Sequence, residues 1–208
     1  MKKVFTCFFL LLVFACREDK NFDPYSYDGN YPRNIDGSEI KTYTPNIIGG
    51  KIEAYFNGHS WNHAPFLSVN VSRFDPPKTI SGESEVIITI SPMLTATPIE
   101  PCLMETFLVR APLKIAAISL NDFSKLNEQE YASVKFTSMN CDAGKDQYVL
   151  DRQNSSVVKV LSYDETTKEL RAEFDVYFTI SERNSDFGPI YPEKVHISGN
   201  IEAVVKSE

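Results

Sequence analysis

The fold of this chain is decided by the stretch LRAEFDVYFTIS at residues 170 to 181, in which apolar and polar residues alternate without a break. Successive side chains of a β-strand point to opposite faces of the sheet, so a period of two predicts a strand with one buried face and one solvated face. The apolar positions are Leu170, Ala172, Phe174, Val176, Phe178 and Ile180.

The same alternation recurs before and after this stretch. Residues 195 to 205 repeat it, and Gly199 stands in their apolar register, which predicts a bulge or a bend where a sheet curls. We therefore expect an all-β domain over residues 49 to 208, built as an antiparallel sandwich or a calycin-like barrel of about nine or ten strands, with one helical turn between residues 120 and 130. Shorter alternating runs lie near residues 52–56, 67–71, 86–90 and 132–136, and turn residues stand at 57–58, 75–77, 81–82 and 143–144.

The first fifteen residues have the pattern of a secretion signal. A basic start at Lys2 and Lys3 precedes an apolar run that is shorter than the roughly 20 residues needed to span a bilayer. The tetrad Val13-Phe14-Ala15-Cys16 resembles a bacterial lipobox, in which the cysteine is lipidated and becomes the first residue. The resemblance implies a signal peptide at 1–15, acyl chains such as palmitate on Cys16, and an outer-membrane lipoprotein of the bacterial cell envelope. An ordinary cleaved signal followed by a chance cysteine is the alternative.

The segment from Cys16 to residue 48 has the composition of a flexible linker, because it is polar, rich in Pro and Gly, and lacks alternating apolar runs. Its tyrosines could instead dock against the domain. Its opening residues 17 to 20 (REDK) resemble the surface-export signal of Bacteroidota lipoproteins, although a solvated linker start explains them equally well. The outward or periplasmic orientation therefore stays open.

Two further cysteines, Cys102 and Cys141, would remain in an oxidising compartment. Two leftover cysteines in such a compartment favour one disulfide bond, and a pair of buried free thiols is the alternative. The chain carries a formal net charge of -7. An acidic surface argues against a nucleic-acid partner, and the membrane is expected to be reached through the lipid anchor alone.

The start of the domain, A-x-x-N-G-x-x-W at residues 54 to 61, resembles small lipoproteins of unknown function from Bacteroidota. Residues 146–151, 158–178 and 194–204 are similar to the closing half of that family. The resemblance implies an all-β domain and carries over no activity.

No catalytic, metal or cofactor motif stands out in the sequence. His59 and His63 would lie roughly 13 Å apart in an extended chain, which is too far to share a metal ion. His196 falls in the polar register of its strand, where a solvated side chain is expected. A calcium loop at Asp142, Asp146 and Asp151 lacks the EF-hand spacing. Trp61 is expected to close the core. The carboxylates Glu83, Glu85, Asp164 and Glu165 show no sign of burial, so a glycosidase has no motif support.

These observations predict a non-enzymatic, membrane-anchored β domain that binds a small apolar ligand, a glycan or a protein partner. An envelope hydrolase with an unrecognised site is the alternative, and a structural envelope component is a third. A cavity lined by inward apolar residues would favour a small ligand, whereas a cleft in which a histidine and a carboxylate converge would favour an enzyme.

Overall fold

The computed structural model describes residues 46–60, 66–79, 82–93, 103–122, 132–140, 143–184 and 192–207. These ranges contain fourteen strands and no helix, and nine of the strands have seven residues or more, so the expected all-β class and strand number are confirmed. The strands are β1 (Asn46–Ile48), β2 (Gly50–Phe56), β3 (His59–Ser60), β4 (Phe66–Phe74), β5 (Glu85–Met93), β6 (Leu103–Pro112), β7 (Ala117–Ser119), β8 (Asn121–Asp122), β9 (Ser133–Asn140), β10 (Ala143–Leu150), β11 (Val157–Tyr163), β12 (Glu169–Arg183), β13 (Lys194–Val204) and β14 (Lys206–Ser207).

All strands belong to one sheet that curls until its two ends meet. The main path runs β4-β5-β6-β9-β10-β12-β13-β2, and every neighbouring pair along it is antiparallel. Strand β1 leads into β2, and strand β14 follows β13. Strands β1 and β14 both pair in parallel with β4, on the edge of β4 opposite to the one that pairs with β5. The short parallel pairs thus join the two ends, and with the parallel pair β8·β9 they make the sheet mixed.

Strand β12 is the longest and organises one wall of the curl. Strand β13 covers one of its edges over residues 169–179. The other edge is shared in succession by β11, which pairs with residues 170–175, and by β10, which pairs with residues 178–183. Strand β7 then adds to the outer edge of β11. This wall therefore presents five neighbouring strands, β7-β11-β12-β13-β2, to solvent.

Two glycines allow neighbouring backbones to approach closely. A Cβ on Gly199 would lie 2.3 Å from the carbonyl oxygen of Glu53 and 2.7 Å from the Cα of Ala54, so this glycine permits close contact between β13 and β2. The pairing of β13 with β12 and with β2 continues through Gly199 without a register shift, so the structure has no bulge at this position. A Cβ on Gly49 would lie 2.0 Å from the carbonyl oxygen of Val69, and the φ of this glycine is +93°. Gly49 therefore lets the chain pass close to the backbone of β4 as it leads from β1 into β2.

The inward residues of the long strands form a single core, as the period of two predicts. Phe107 and Phe178 lie at its centre with ring centroids 6.3 Å apart in an edge-on arrangement. Phe136 contacts Phe56 at 5.7 Å, Phe178 at 5.8 Å and the ring of Tyr148 at 5.1 Å. Each such ring contributes about 1.5 to 3 kcal/mol by leaving water. The part of the interior that the structure describes is thus packed with aliphatic side chains around a cluster of aromatic rings.

One end of the curl is held by a polar network around Arg73, which we call the Arg73 network. The guanidinium of Arg73 donates to Asp75 at 2.9 Å, to the hydroxyl of Tyr163 at 3.1 Å and to Glu165 at 2.8 Å. The hydroxyl of Ser84 donates to Asp75 at 2.5 Å. Because Arg73 and Tyr163 lie near the ends of β4 and β11, and the other residues lie in the connections that follow these strands, the network links two hairpins that are distant along the sheet.

The expectation that Glu85 is exposed is wrong, because its side chain is 0% exposed. The alternation along β5 places Glu85 on the outward face, because the inward residues are Val86, Ile88 and Ile90. The side chain of Arg110 on the neighbouring strand β6 covers Glu85. The Arg110 side chain donates to the Oε2 atom of Glu85 from Nη2 at 2.5 Å and from Nε at 2.7 Å. The buried carboxylate is therefore neutralised by a two-point ion pair and is not set up as a catalytic acid.

The helical turn expected between residues 120 and 130 falls mostly on residues 123–131, which lie outside the described residues. At its start, Asn121 and Asp122 form the short strand β8 beside β9.

Candidate functional site

Outward side chains of the five-strand wall form two parallel rows that cross the strands. In the first, which we call the aspartate row, Asp175 is opposite Val157 on one side and Ser198 on the other, and Ser198 is opposite Tyr55. In the second, the lysine row, Glu173 is opposite Lys159 and Asn200, and Asn200 is opposite Glu53. The rows are two residues apart along each strand, so they lie about 7 Å apart.

An open groove of about 380 Å³ runs between the two rows. Its floor is formed by the paired residues Phe174 and Gly199. Both residues are in the inward register of their strands, so their backbone atoms face the groove. It extends from Ala117 on β7 to Tyr55 on β2 and thus crosses five strands. At about 4.8 Å between neighbouring strands, that distance is about 19 Å. We call this feature the outer groove.

The charged side chains that border the outer groove are paired with other groups of the protein. The ammonium of Lys159 lies 3.7 Å from Oε2 of Glu173. The hydroxyl of Tyr55 donates to Glu53 at 2.6 Å, and this hydrogen bond to a carboxylate raises the pKa of Tyr55. Asp175 lies 2.5 Å from the Nε2 atom of His196. The groove is therefore polar on both sides, and its charged side chains already contact other groups of the protein.

His196 lies beside the groove, in the polar register that its sequence position predicts. Its ring stacks on Tyr177 with centroids 4.2 Å apart and planes 2° apart. Its backbone amide donates to the side chain of Asn57 at 2.6 Å, and the amide of Asn57 donates to the His196 carbonyl at 2.8 Å. The ring is thus fixed by its strand, by Tyr177 and by Asp175, and it holds the Asp175 carboxylate in place at the edge of the groove.

A histidine and a carboxylate do converge here, which is the feature that a hydrolase would need. Ser198 is the hydroxyl residue nearest along the strand, two residues from His196 and so about 7 Å away from Cα to Cα. Ser198 lies directly opposite Asp175 on the neighbouring strand, and Asp175 also contacts His196. The aspartate, and not the histidine, therefore lies between the other two residues. In a catalytic triad the histidine lies between nucleophile and carboxylate. The order of these three residues therefore does not match that chemistry.

Of the acidic residues considered for calcium, the two that the structure describes, Asp146 and Asp151, have separate partners. Asp146 lies inward on β10 and is fully buried, where its backbone amide donates to the hydroxyl of Ser138 at 3.2 Å. Asp151 caps the turn after β10 by accepting from the amide of Gln153 at 2.9 Å, and it also pairs with Lys194. Asp142 lies outside the described residues. Within those residues no group of three or more His, Cys, Asp or Glu side chains is placed to hold a metal ion.

The buried Asp146 belongs to a polar layer at the end of the core opposite the Arg73 network. Glu105 and Ser138 lie opposite one another on β6 and β9, and both are fully buried. Burial raises the pKa of Tyr148 in the next layer, and the nearby Asp146 carboxylate raises it further. The guanidinium of Arg183 lies 3.7 Å from Asp146 and compensates part of this negative charge.

Several residues singled out in the sequence lie outside the described residues, namely Cys16, Trp61, His63, Cys102 and Cys141. The backbone of His59 is described and opens β3 opposite Phe56. The strands that flank the two later cysteines are also described.

Sequence reasoning missed the outer groove, although it identified most of the strands that build it. Alternation marks Asp175 and Glu173 as outward residues, but it does not say which residues of β13, β2 and β11 lie beside them. The one local signal was Gly199, which marks the close contact of β13 with β2 on the floor of the groove.

The described part of the chain contains no helix of the length and hydropathy required to cross a bilayer. Comparisons with protein-family models, with curated proteins and with solved structures find no match to this chain.

Proposed function

We propose that this protein is a lipoprotein of the bacterial outer membrane, anchored through Cys16, whose β domain binds an extended partner through the outer groove without catalysing a reaction. The observation that carries the binding part is the groove itself, which is open along its length and bordered by polar side chains on both sides. Binding sites combine an apolar surface with a few placed polar groups, and the outer groove has both.

Binding rather than hydrolysis is supported by how the polar groups are engaged. The hydroxyl of Tyr55 is held by Glu53, and Asp175 is held by His196, so each is a fixed contact point. Side chains that are already fixed lose little conformational entropy when a partner binds. The described interior is packed with phenylalanine rings, so an open outer site has more support than an enclosed calyx for a small apolar ligand.

The anchor is supported by the lipobox resemblance at Val13-Phe14-Ala15-Cys16 and by the polar linker composition that follows it. Such a linker of about 30 residues, if flexible, has a root-mean-square reach on the order of 30 Å. That reach would let the groove meet partners beyond the lipid headgroups.

The anchor is tested by replacing Cys16 with Ser and fractionating cells that express the full chain. We expect the wild-type protein in the membrane fraction after a high-salt wash and labelled by a palmitate analogue, and the C16S protein unlabelled and released. The matched control is Cys7→Ser, which changes a cysteine within the signal and should leave both properties unchanged. Retention of C16S in the washed membranes would refute the anchor.

A further inference from the structure

We propose that the partner of the outer groove is a linear, uncharged oligosaccharide that lies across the strands between the aspartate row and the lysine row. This inference deepens the proposed function and rests on it for the use of this site. It depends on three features of the groove, which are its paired charges, its fixed tyrosine and its direction.

The charged side chains of the groove already have partners within the protein, which favours an uncharged ligand. Glu173 pairs with Lys159, and Asp175 contacts the Nε2 atom of His196, so neither row offers an unpaired lysine or arginine to an anionic polymer. Binding is weakened when charges of the same sign face each other across an interface. The carboxylates of Glu53, Glu173 and Asp175 would therefore repel a partner that carries uronic acids or phosphates. A partner rich in hydroxyl groups can instead use the free lone pairs of these carboxylates and the amide of Asn200.

The tyrosine supplies an apolar face at one end of the groove. Tyr55 lines the groove, and its hydroxyl is tied to Glu53 at 2.6 Å, two residues away on the same face of β2. This hydrogen bond fixes the ring before a ligand arrives. A pre-oriented aromatic ring provides a large amphipathic contact at a low entropic cost. Pyranose rings have apolar C–H faces that match such a surface, while their edges carry hydroxyl groups.

The direction of the groove favours a linear polymer. It crosses β7, β11, β12, β13 and β2 over about 19 Å, at right angles to the strand direction. An extended peptide usually binds by adding a strand parallel to a free sheet edge, where backbone groups are unpaired. The groove lies on a face whose strands β12 and β13 are paired on both edges, so peptide addition has no edge to use there.

The test uses the full mature chain carrying Cys16→Ser, with binding measured by titration calorimetry and on an array of linear glycans. The uncharged probes include cellohexaose, maltohexaose, xylohexaose, mannohexaose and the chitin hexamer. The charged probes are hexagalacturonic acid and the chitosan hexamer. We expect at least one uncharged linear glycan to bind. We expect hexagalacturonic acid, which the carboxylates repel, to bind more weakly or not at all.

Variants then locate the binding site. We expect Tyr55→Ala to weaken binding about tenfold or more, as is common when an aromatic anchor is truncated, and Asn200→Ala to weaken it severalfold. Tyr55→Phe keeps the ring and should retain most of the affinity. The matched control is Arg171→Ala, on the same wall but outside the groove, and it should bind like the parent. Melting curves confirm that each variant is folded.

The proposal is overturned if no uncharged linear glycan on the array binds, if a charged glycan or an extended peptide binds in a Tyr55-dependent manner instead, or if folded Tyr55→Ala binds like the parent. The two proposals can fail separately. If no glycan binds but C16S is released from the membrane, the proposed anchor is supported and the proposed ligand is not. If a glycan binds but C16S stays in the membrane, the proposed ligand is supported and the proposed anchor is not.

Discussion

At the scale of single residues, Asn57 shows why the Asn-Gly pair begins this domain. Asn57 has a φ of +47° and Gly58 a φ of +79°, as the two-residue turn between β2 and β3 requires. The Asn57 side chain also accepts from the amide of His196 at 2.6 Å and donates to the carbonyl of Lys194 at 3.1 Å. The residue therefore fixes the turn and ties it to β13.

We predict that Asn57→Ala lowers the free energy of unfolding by about 2 to 3 kcal/mol. Alanine tolerates positive φ poorly, and its methyl group leaves two backbone groups of β13 without their partners. Urea denaturation followed by fluorescence measures the change. Asn57→Gly is the control that restores the turn conformation without the hydrogen bonds, so it should recover only part of the loss. An alanine variant as stable as the parent would contradict this account.

The burial of Glu85 is a property of a single residue that the local sequence pattern does not predict. Its register predicts an outward, solvated side chain, and it does point outward. Burial depends on Arg110, which reaches it from β6. No feature of the sequence around residue 85 specifies which long side chain of another strand will cover it.

At the scale of elements, the sequence predicts strands well and their neighbours poorly. The period of two in residues 170 to 181 matches the buried positions of β12 without an exception up to Phe178. The order of the strands depends on contacts between residues far apart in the chain, such as the pairing of β13 with β2. The outer groove is built from that order, and so it could not be predicted from periodicity alone.

The pair β6·β9 bears on the expected disulfide. The last pair of this antiparallel ladder is Leu103 opposite Asn140, and Cys102 and Cys141 are the next residues in the sequence beyond that pair. Both cysteines lie outside the described residues, so the expected bond stays a prediction that rests on the cysteine count and on an oxidising compartment.

We predict that the mature protein contains a Cys102–Cys141 disulfide. Non-reducing digestion and mass spectrometry should recover the two peptides joined, and reduction should separate them. Reduction should also lower the melting temperature by several degrees, because losing about 2 kcal/mol shifts a domain of this size by roughly 4 to 8 °C. Cys102→Ser serves as the control, since its melting temperature should not respond to reductant. Two free thiols in the oxidised protein would show that the bond is absent.

At the scale of the whole molecule, the Arg73 network links stability to pH. A hydrogen bond from Ser84 and the nearby Arg73 lower the pKa of Asp75, and the hydrogen bond from Lys168 lowers that of Glu165. Backbone amides of Thr167 and Thr166 lower the pKa of Asp164. A carboxyl group with a lowered pKa in the folded state binds fewer protons there than in the unfolded chain. Its contribution to stability is therefore complete above the ordinary pKa of about 4 and is lost as pH falls below it.

We predict that the free energy of unfolding falls as the pH is lowered from about 5 to 2, and that Asp75→Asn makes this fall less steep. Asparagine keeps the shape of the side chain but does not titrate. The variant therefore takes up one proton fewer on unfolding in this pH range, which makes the slope shallower. Urea titrations at a series of pH values give the slope. Glu193→Gln, outside the Arg73 network, is the matched control. An Asp75→Asn slope equal to that of the parent would exclude a role for this carboxyl group.

The closure of the sheet also has a mechanical consequence. Both β1 and β14 run parallel to β4, and β1 pairs with it at Phe66–Ser68 while β14 pairs at Ser72 and Arg73. The first and the last of the described strands therefore pair near opposite ends of β4. A pull on the chain ahead of Asn46 along the strand axis would load the β1·β4 hydrogen bonds in shear, so that they share the force instead of opening one after another. Drag on a domain held by its N-terminal side would thus be carried into β4, which β5 braces along its whole length.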